Sequence, residues 1–234
     1  MKREIRLLTV FIFSLSLTSS IAQKTETSIL FNTGLFSFAG SSAYNSTFVN
    51  YDKTTNLGYA NNPYGSRNGL CYGFSFQKKR ITKWNFIYGF DLGYEILRSK
   101  VSINGIYSDS FYSAKGKTIL NFGFVNFYPF IGFRINTGNI SFDISGGFEL
   151  ALKLKSWESG KAETDKGVEI TMPSTFSNSN LFDFRRRLQV AVNYKRISPY
   201  IGYSRGLVNY LSGITGGSNN TYARMIRVGI AYKL

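Results

Sequence analysis

The stretch Asn139–Lys155, NISFDISGGFELALKLK, alternates so strictly that it constrains the fold more than any other feature of the chain. Ile140, Phe142, Ile144, Phe148, Leu150, Leu152 and Leu154 share one parity, with Gly146 as the gap. Ser141, Asp143, Ser145, Gly147, Glu149, Ala151 and Lys153 share the other. A period of two puts successive side chains on opposite faces of a β-strand. Strands usually run about five or six residues, so one this long, apolar on one face and charged on the other, needs a distinct medium on each side.

The pattern recurs. Trp84, Phe86, Tyr88, Phe90, Leu92, Tyr94 and Ile96 alternate with Asn85, Ile87, Gly89, Asp91, Gly93 and Glu95. Similar alternation covers 70–77, 187–194 and 226–234, and more weakly 27–39 and 198–210. In 117–136 the apolar parity changes near Pro129, and a β-bulge at Tyr128–Phe130 is expected to restore the face. That makes eight strands. Short turns (KKRITK, NTGN, KRIS) alternate with long loops at 40–68, 98–116, 156–181 and 211–221, the third with room for a hairpin. Short turns on one rim and long loops on the other predict an all-β fold: an eight-stranded antiparallel up-and-down transmembrane β-barrel of outer-membrane type.

Volume decides which face is inside. Eight strands enclose a space just wide enough for side chains, and Trp84, Phe86, Tyr88 and Phe90 with their counterparts would overfill it. The large apolar face, including Phe142 and Phe148, is therefore expected to meet lipid. Trp84, Tyr88, Tyr194, Tyr200 and Tyr232 are expected at the short-turn interface. The lumen then receives Asp91, Glu95, Asp143, Glu149, Lys153, Arg185, Arg187, Arg205 and Arg227. Buried charge persists only when paired, so these predict a plugging network. Arg186 is left outward near the long-loop rim, within reach of lipid phosphates.

The N-terminus supplies the compartment. MKREIR followed by LLTVFIFSLSLTSS, then Ser20 and Ala22 before Gln23, reads as a cleavable signal peptide over 1–22, with the barrel at 23–234. No later apolar run reaches the roughly twenty residues of a membrane helix, so a chain that crosses a bilayer must do so as a barrel. The expected location is the cell outer membrane. The net charge of +15 would ordinarily raise nucleic acid as a partner. Export argues against it, and the spread of Lys and Arg along the strands favours anionic outer-membrane lipids, lipopolysaccharide included.

Chemistry is sparse. Cys71 is the one cysteine and there is no histidine, so the usual general base is missing and an enzyme is not expected. Asp91 and Glu95 lie on one face, where a structural role is far commoner than acid–base work. No metal-ligand spacing and no phosphate-binding glycine motif is found, so neither metal nor cofactor is expected.

FYPFIGFRINTGNISFDISGGFELALKL resembles the central hairpin of the PorT-like outer-membrane β-barrel domain of Bacteroidota. FDFRRRLQVAVNYKRISPYIGYSRGLVNYL is similar to a later segment of that domain closing on Gly-Leu-x-Asn, with Gly206, Leu207 and Asn209 in those places. The stretch Phe184–Gln189 lacks the glycine expected after Asp-Phe, and Leu234 stands where an aromatic is more usual. The resemblance implies a small outer-membrane barrel whose founding relative assists type IX secretion, and it carries over no catalytic residue. The expected function is thus a non-enzymatic structural or interaction barrel, with secretion-machinery or surface proteins as partners. A narrow porin-like channel for small solutes is the alternative, and a soluble lipocalin-like carrier, with aromatics turned inward, the third reading.

Overall fold

The computed structural model describes residues 22–55, 57–172, 180–212 and 219–234. Apart from Ala22, the expected leader lies outside the described residues. Eleven strands follow in order: β1 Ala22–Ala39, β2 Ser46–Asp52, β3 Leu57–Ala60, β4 Arg67–Thr82, β5 Phe86–Tyr107, β6 Phe111–Thr137, β7 Ile140–Thr164, β8 Glu169–Thr171, β9 Phe182–Tyr194, β10 Ile197–Gly206 and β11 Tyr222–Lys233.

Eight of them form a closed antiparallel ring, β1–β4–β5–β6–β7–β9–β10–β11. The ring shuts where β11 returns to β1, from Ser28↔Lys233 to Ala39↔Tyr222. Closure leaves none of these strands an unpaired edge, which is what lets strands cross a bilayer. Alternation fixes the facing: on β10 every residue from Ile197 to Arg205 switches between exposed and buried. At one end the connections are tight. Asn85, Gly138 and Lys195 take positive φ of 62°, 58° and 49° in the three short turns. Glycine does this freely and asparagine tolerably, whereas lysine does so at a cost.

The other end departs from the sequence expectation. Residues 98–116 are not a long loop: β5 and β6 stay paired to Tyr107↔Phe111 and turn over Ser108–Ser110. β7 likewise continues to Thr164 and then pairs with β8 in a short hairpin. β2 pairs in parallel with the upper part of β5 and antiparallel with β3, and β3 approaches β8. The three extra strands and the extended tips of β5, β6 and β7 thus wrap a second core outside the ring. It contains Val49, Ile103, Ile106, Ala114, Ala162, Ile170 and Met172, each at most 4% exposed.

Two further expectations are corrected. Trp84 lies in the turn below β5, 77% exposed, and does not begin the strand. No bulge occurs at Tyr128–Phe130, because β5 and β6 remain in one register across Pro129. The apparent phase change has another cause: the inward face of β6 is itself apolar, carrying Leu120, Phe122, Phe124, Tyr128 and Phe130. The shift sits across from Gly123–Phe124, where Lys155 and Lys153 are the successive partners and Leu154 is the extra residue.

Candidate functional site in the lumen and on the barrel wall

The lumen is filled in layers. Nearest the short turns, Glu26 of β1, Lys79 of β4, Arg134 of β6 and Asp143 of β7 converge. Arg134 donates through Nη1 and Nη2 to the two oxygens of Glu26, both at 3.0 Å, and through Nε and Nη2 to those of Asp143 at 2.6 and 2.8 Å. Lys79 adds contacts of 2.6 Å to Asp143 and 3.3 Å to Glu26. All four are buried. Bidentate guanidinium–carboxylate pairing of this kind gives geometric definition as well as energy.

Above them Leu30, Ala191, Tyr200 and Ala231 form a small apolar layer. Tyr200 therefore faces the lumen and not the membrane interface. Its directly opposed partner is Gly229, where a Cβ would come within 2.5 Å of the tyrosine ring; the missing side chain makes the space.

The middle layer joins Arg185 and Arg187 of β9 and Arg227 of β11 to four carboxylates, Asp91 and Glu95 of β5, Glu149 of β7 and Asp183 of β9. Arg185 reaches Glu95 at 2.6 Å, Glu149 at 2.7 Å and Asp183 at 2.6 Å. Arg227 reaches Glu149 at 2.7 Å and Glu95 at 3.2 Å. Arg187 lies 3.5 Å from both Asp91 and Glu149 and donates to Gln189. Gln77 donates to Asp91 at 2.8 Å. Arg187 stacks over Tyr128 at 4.2 Å and Arg185 over Phe124 at 4.8 Å. Beside this layer a void of about 20 Å³ has room for about one water.

The outer layer is apolar. Phe36, Phe38, Leu97, Leu120, Phe122, Phe124 and Met225 meet Tyr64 and Tyr210, which fold in from the loops. Phe38 makes edge contacts with Tyr64 and Tyr210, each at 5.0 Å between ring centres. The tyrosine hydroxyl of Tyr210 reaches down to donate to Asp183 at 2.8 Å. The rule that large residues point outward thus fails near this rim.

Asp91, Glu95, Asp143, Glu149, Arg185, Arg187 and Arg227 all face inward, but in two clusters, with Asp143 in the lower. Lys153 also faces inward and is buried, paired through its backbone with Phe124. Arg205 is corrected: it shares the parity of Pro199, Ile201 and Tyr203 and is exposed on the outer wall, because Ser204 takes the inward position. Sequence reasoning missed Glu26, Lys79, Arg134 and Asp183. Each takes an inward position, but Glu26, Lys79 and Asp183 lie beyond the strand ends read from the sequence, because β1, β4 and β9 run further than the clear alternation does; parity carried past those ends is the signal that finds them.

The outer wall carries Phe86, Phe142, Phe148, Tyr194 and Tyr232, all exposed, and Tyr88 and Phe90, half-buried against outward neighbours. Among the described residues none of the outward positions of β1, β9, β10 and β11 is a carboxylate, and no group of His, Cys, Asp and Glu suited to a metal ion occurs.

These features define a class: a closed eight-stranded β-barrel of outer-membrane type, apolar outside and filled within. No family model matches the sequence and no curated protein matches it, so the PorT-like resemblance rests on the segments quoted above. Among solved structures, the chain is similar to neisserial surface protein A at 10% identity, covering 91% of this chain and 100% of that one, with a TM-score of 0.41. It is also similar to the attachment invasion locus protein Ail of Yersinia pestis, in complex with a heparin analogue, at 12% identity, with 91% and 100% coverage and a TM-score of 0.39.

Proposed function

We infer that the protein is a non-enzymatic, non-conducting barrel of the outer membrane that displays a rigid β-platform on the cell surface for interaction with another macromolecule. One observation carries the reading: the strands do not stop at the rim but continue into a second apolar core, built from β2, β8 and the tips of β5, β6 and β7, with β3 paired to β2 beside it. A loop that merely closes the barrel needs no core of its own. Secretion-machinery components or surface proteins are the partner class, and the platform is the contact. The apolar belt supports the membrane location, since a closed barrel with this exterior requires lipid around it.

Against a pore stand the two charged layers and the aromatic layer that cross the lumen. Planar-bilayer recording tests this: no unitary conductance is expected at 1 M salt, and regular channel steps from the purified protein would overturn it. Comparing secreted proteins from a deletion strain and its complemented parent tests the partner class. Cargo held in the periplasm would support secretion machinery; an unchanged secretome would remove it.

A further inference from the structure

The geometry points to a binding site for a phosphorylated lipid headgroup on the outer wall, formed by Arg186, Arg205 and Arg224. These arginines come from three neighbouring strands and stand side by side: Arg205 is the direct partner of Arg186 on β9 and of Arg224 on β11. All three are exposed and outward. Like charges directly opposite one another on a sheet repel, and nothing on this wall offsets them. Among the described residues none makes an ion pair; Arg224 alone has a polar partner, donating to Ser37 Oγ at 3.0 and 3.3 Å. Three adjacent guanidiniums facing lipid call for an anion supplied from outside the chain.

Their height says which anion. Tyr194, Ile197 and Tyr232 are likewise direct partners on the same three strands, at the short-turn end. Each arginine lies eight residues further along its strand. At about 3.3 Å per residue and a strand tilt of about 40°, the two rows stand roughly 20 Å apart along the barrel axis. That approaches the roughly 25 Å apolar band of outer-membrane barrels. Every outward residue between the rows is apolar or aromatic, Leu188, Val190 and Val192 on β9 and their counterparts on β10 and β11. The arginines therefore sit where hydrocarbon gives way to the outer-leaflet headgroups. Immediately below them, Leu188, Val190, Ile201, Tyr203 and Ile226 line a shallow groove of about 340 Å³, which an acyl chain of the same lipid would occupy. Guanidinium forks match phosphate oxygens in a way ammonium groups do not.

The site rests on the membrane location proposed above. In phosphatidylcholine nanodiscs doped with diphosphoryl lipid A, wild-type protein should retain lipid A when analysed by native mass spectrometry. The triple variant Arg186→Gln/Arg205→Gln/Arg224→Gln should retain it at least about tenfold less tightly. A control triple, Lys100→Gln/Lys115→Gln/Lys117→Gln, removes as many exposed charges elsewhere and should bind like wild type. Equal binding by the arginine triple, equal loss in the control, or displacement of lipid A by millimolar inorganic phosphate would each overturn the headgroup site. Heat-modifiable mobility on gels reports folding. Should the triple variant not fold, Arg205→Gln alone, at the centre of the row, should weaken retention about threefold or more, and no change would overturn the site. Failure of wild type to enter nanodiscs would instead refute the membrane location.

Discussion

Glu149→Gln tests the middle layer of the lumen most directly. Glu149 is fully buried and faces three guanidiniums: Arg185 and Arg227 at 2.7 Å and Arg187 at 3.5 Å. The amide keeps the volume, removes the charge and turns a donor toward groups that are themselves donors only. Removing one partner of a buried ion pair costs about 3–5 kcal/mol. Here the lower part of that range applies, because Arg185 keeps Glu95 and Asp183, Arg227 keeps Glu95, and Arg187 keeps Asp91. With a urea m-value of about 2 kcal/mol/M, a loss of about 3 kcal/mol lowers the unfolding midpoint by roughly 1.5 M. Tryptophan fluorescence during urea unfolding in phosphatidylcholine vesicles reads it, with the gel-mobility shift as a second probe. Salt should not narrow the gap, since buried charges are little screened. A midpoint lowered by less than about 0.3 M at unchanged slope would refute the reasoning and make the carboxylate a bystander.

Other perturbations separate the remaining layers. Phe90→Arg places a charge on the lipid side beside Phe127 and should cost about 2–4 kcal/mol in the same titration. Phe38→Ala removes a fully buried ring from the outer layer and should cost about 3–5 kcal/mol, read by the same unfolding midpoint. Val49→Asp, in the second core, should render residues 40–66 sensitive to protease added to whole cells while the barrel keeps its heat-modifiable mobility. Lys195→Gly relieves a positive φ of 49°; left-handed backbone costs a non-glycine residue about 1–2 kcal/mol, so stability should rise by up to about 1 kcal/mol after the entropic loss.

Much of the ring was legible because alternation is a backbone property that the membrane enforces on one face at a time. The strands around Phe86, Phe142, Leu188 and Ile226 declare themselves for that reason. The lumen is less legible because nothing requires its lining to be uniformly polar. Phe122 and Phe124 face inward with Asp91 and Glu149, and from the chain alone they read as a phase error at Pro129. Arg205 and Tyr200 exchanged sides for a related reason: in β10 the inward set is small or polar except for one ring, whose room comes from Gly229 on another strand. The second core was hidden in what looked like loops: Val49 and Ile170 lie on strands of seven and three residues, too short to show a period, and a register shift between Ile103 and Gly105 breaks the alternation at the tip of β5.

Ring closure also has a kinetic meaning. The seam joins Ser28 to Lys233 and Ala39 to Tyr222, near opposite ends of the described chain, so the contact that completes the barrel is among the most non-local it possesses. Non-local pairing is slow to form, and until it forms β1 and β11 each present a bare row of backbone amides and carbonyls. Hydrocarbon offers those groups no partner, and the two charged layers would lie open on one face of an unclosed sheet. In a bilayer, insertion and closure are therefore coupled: until β11 pairs with β1, two rows of backbone groups stand without partners in hydrocarbon.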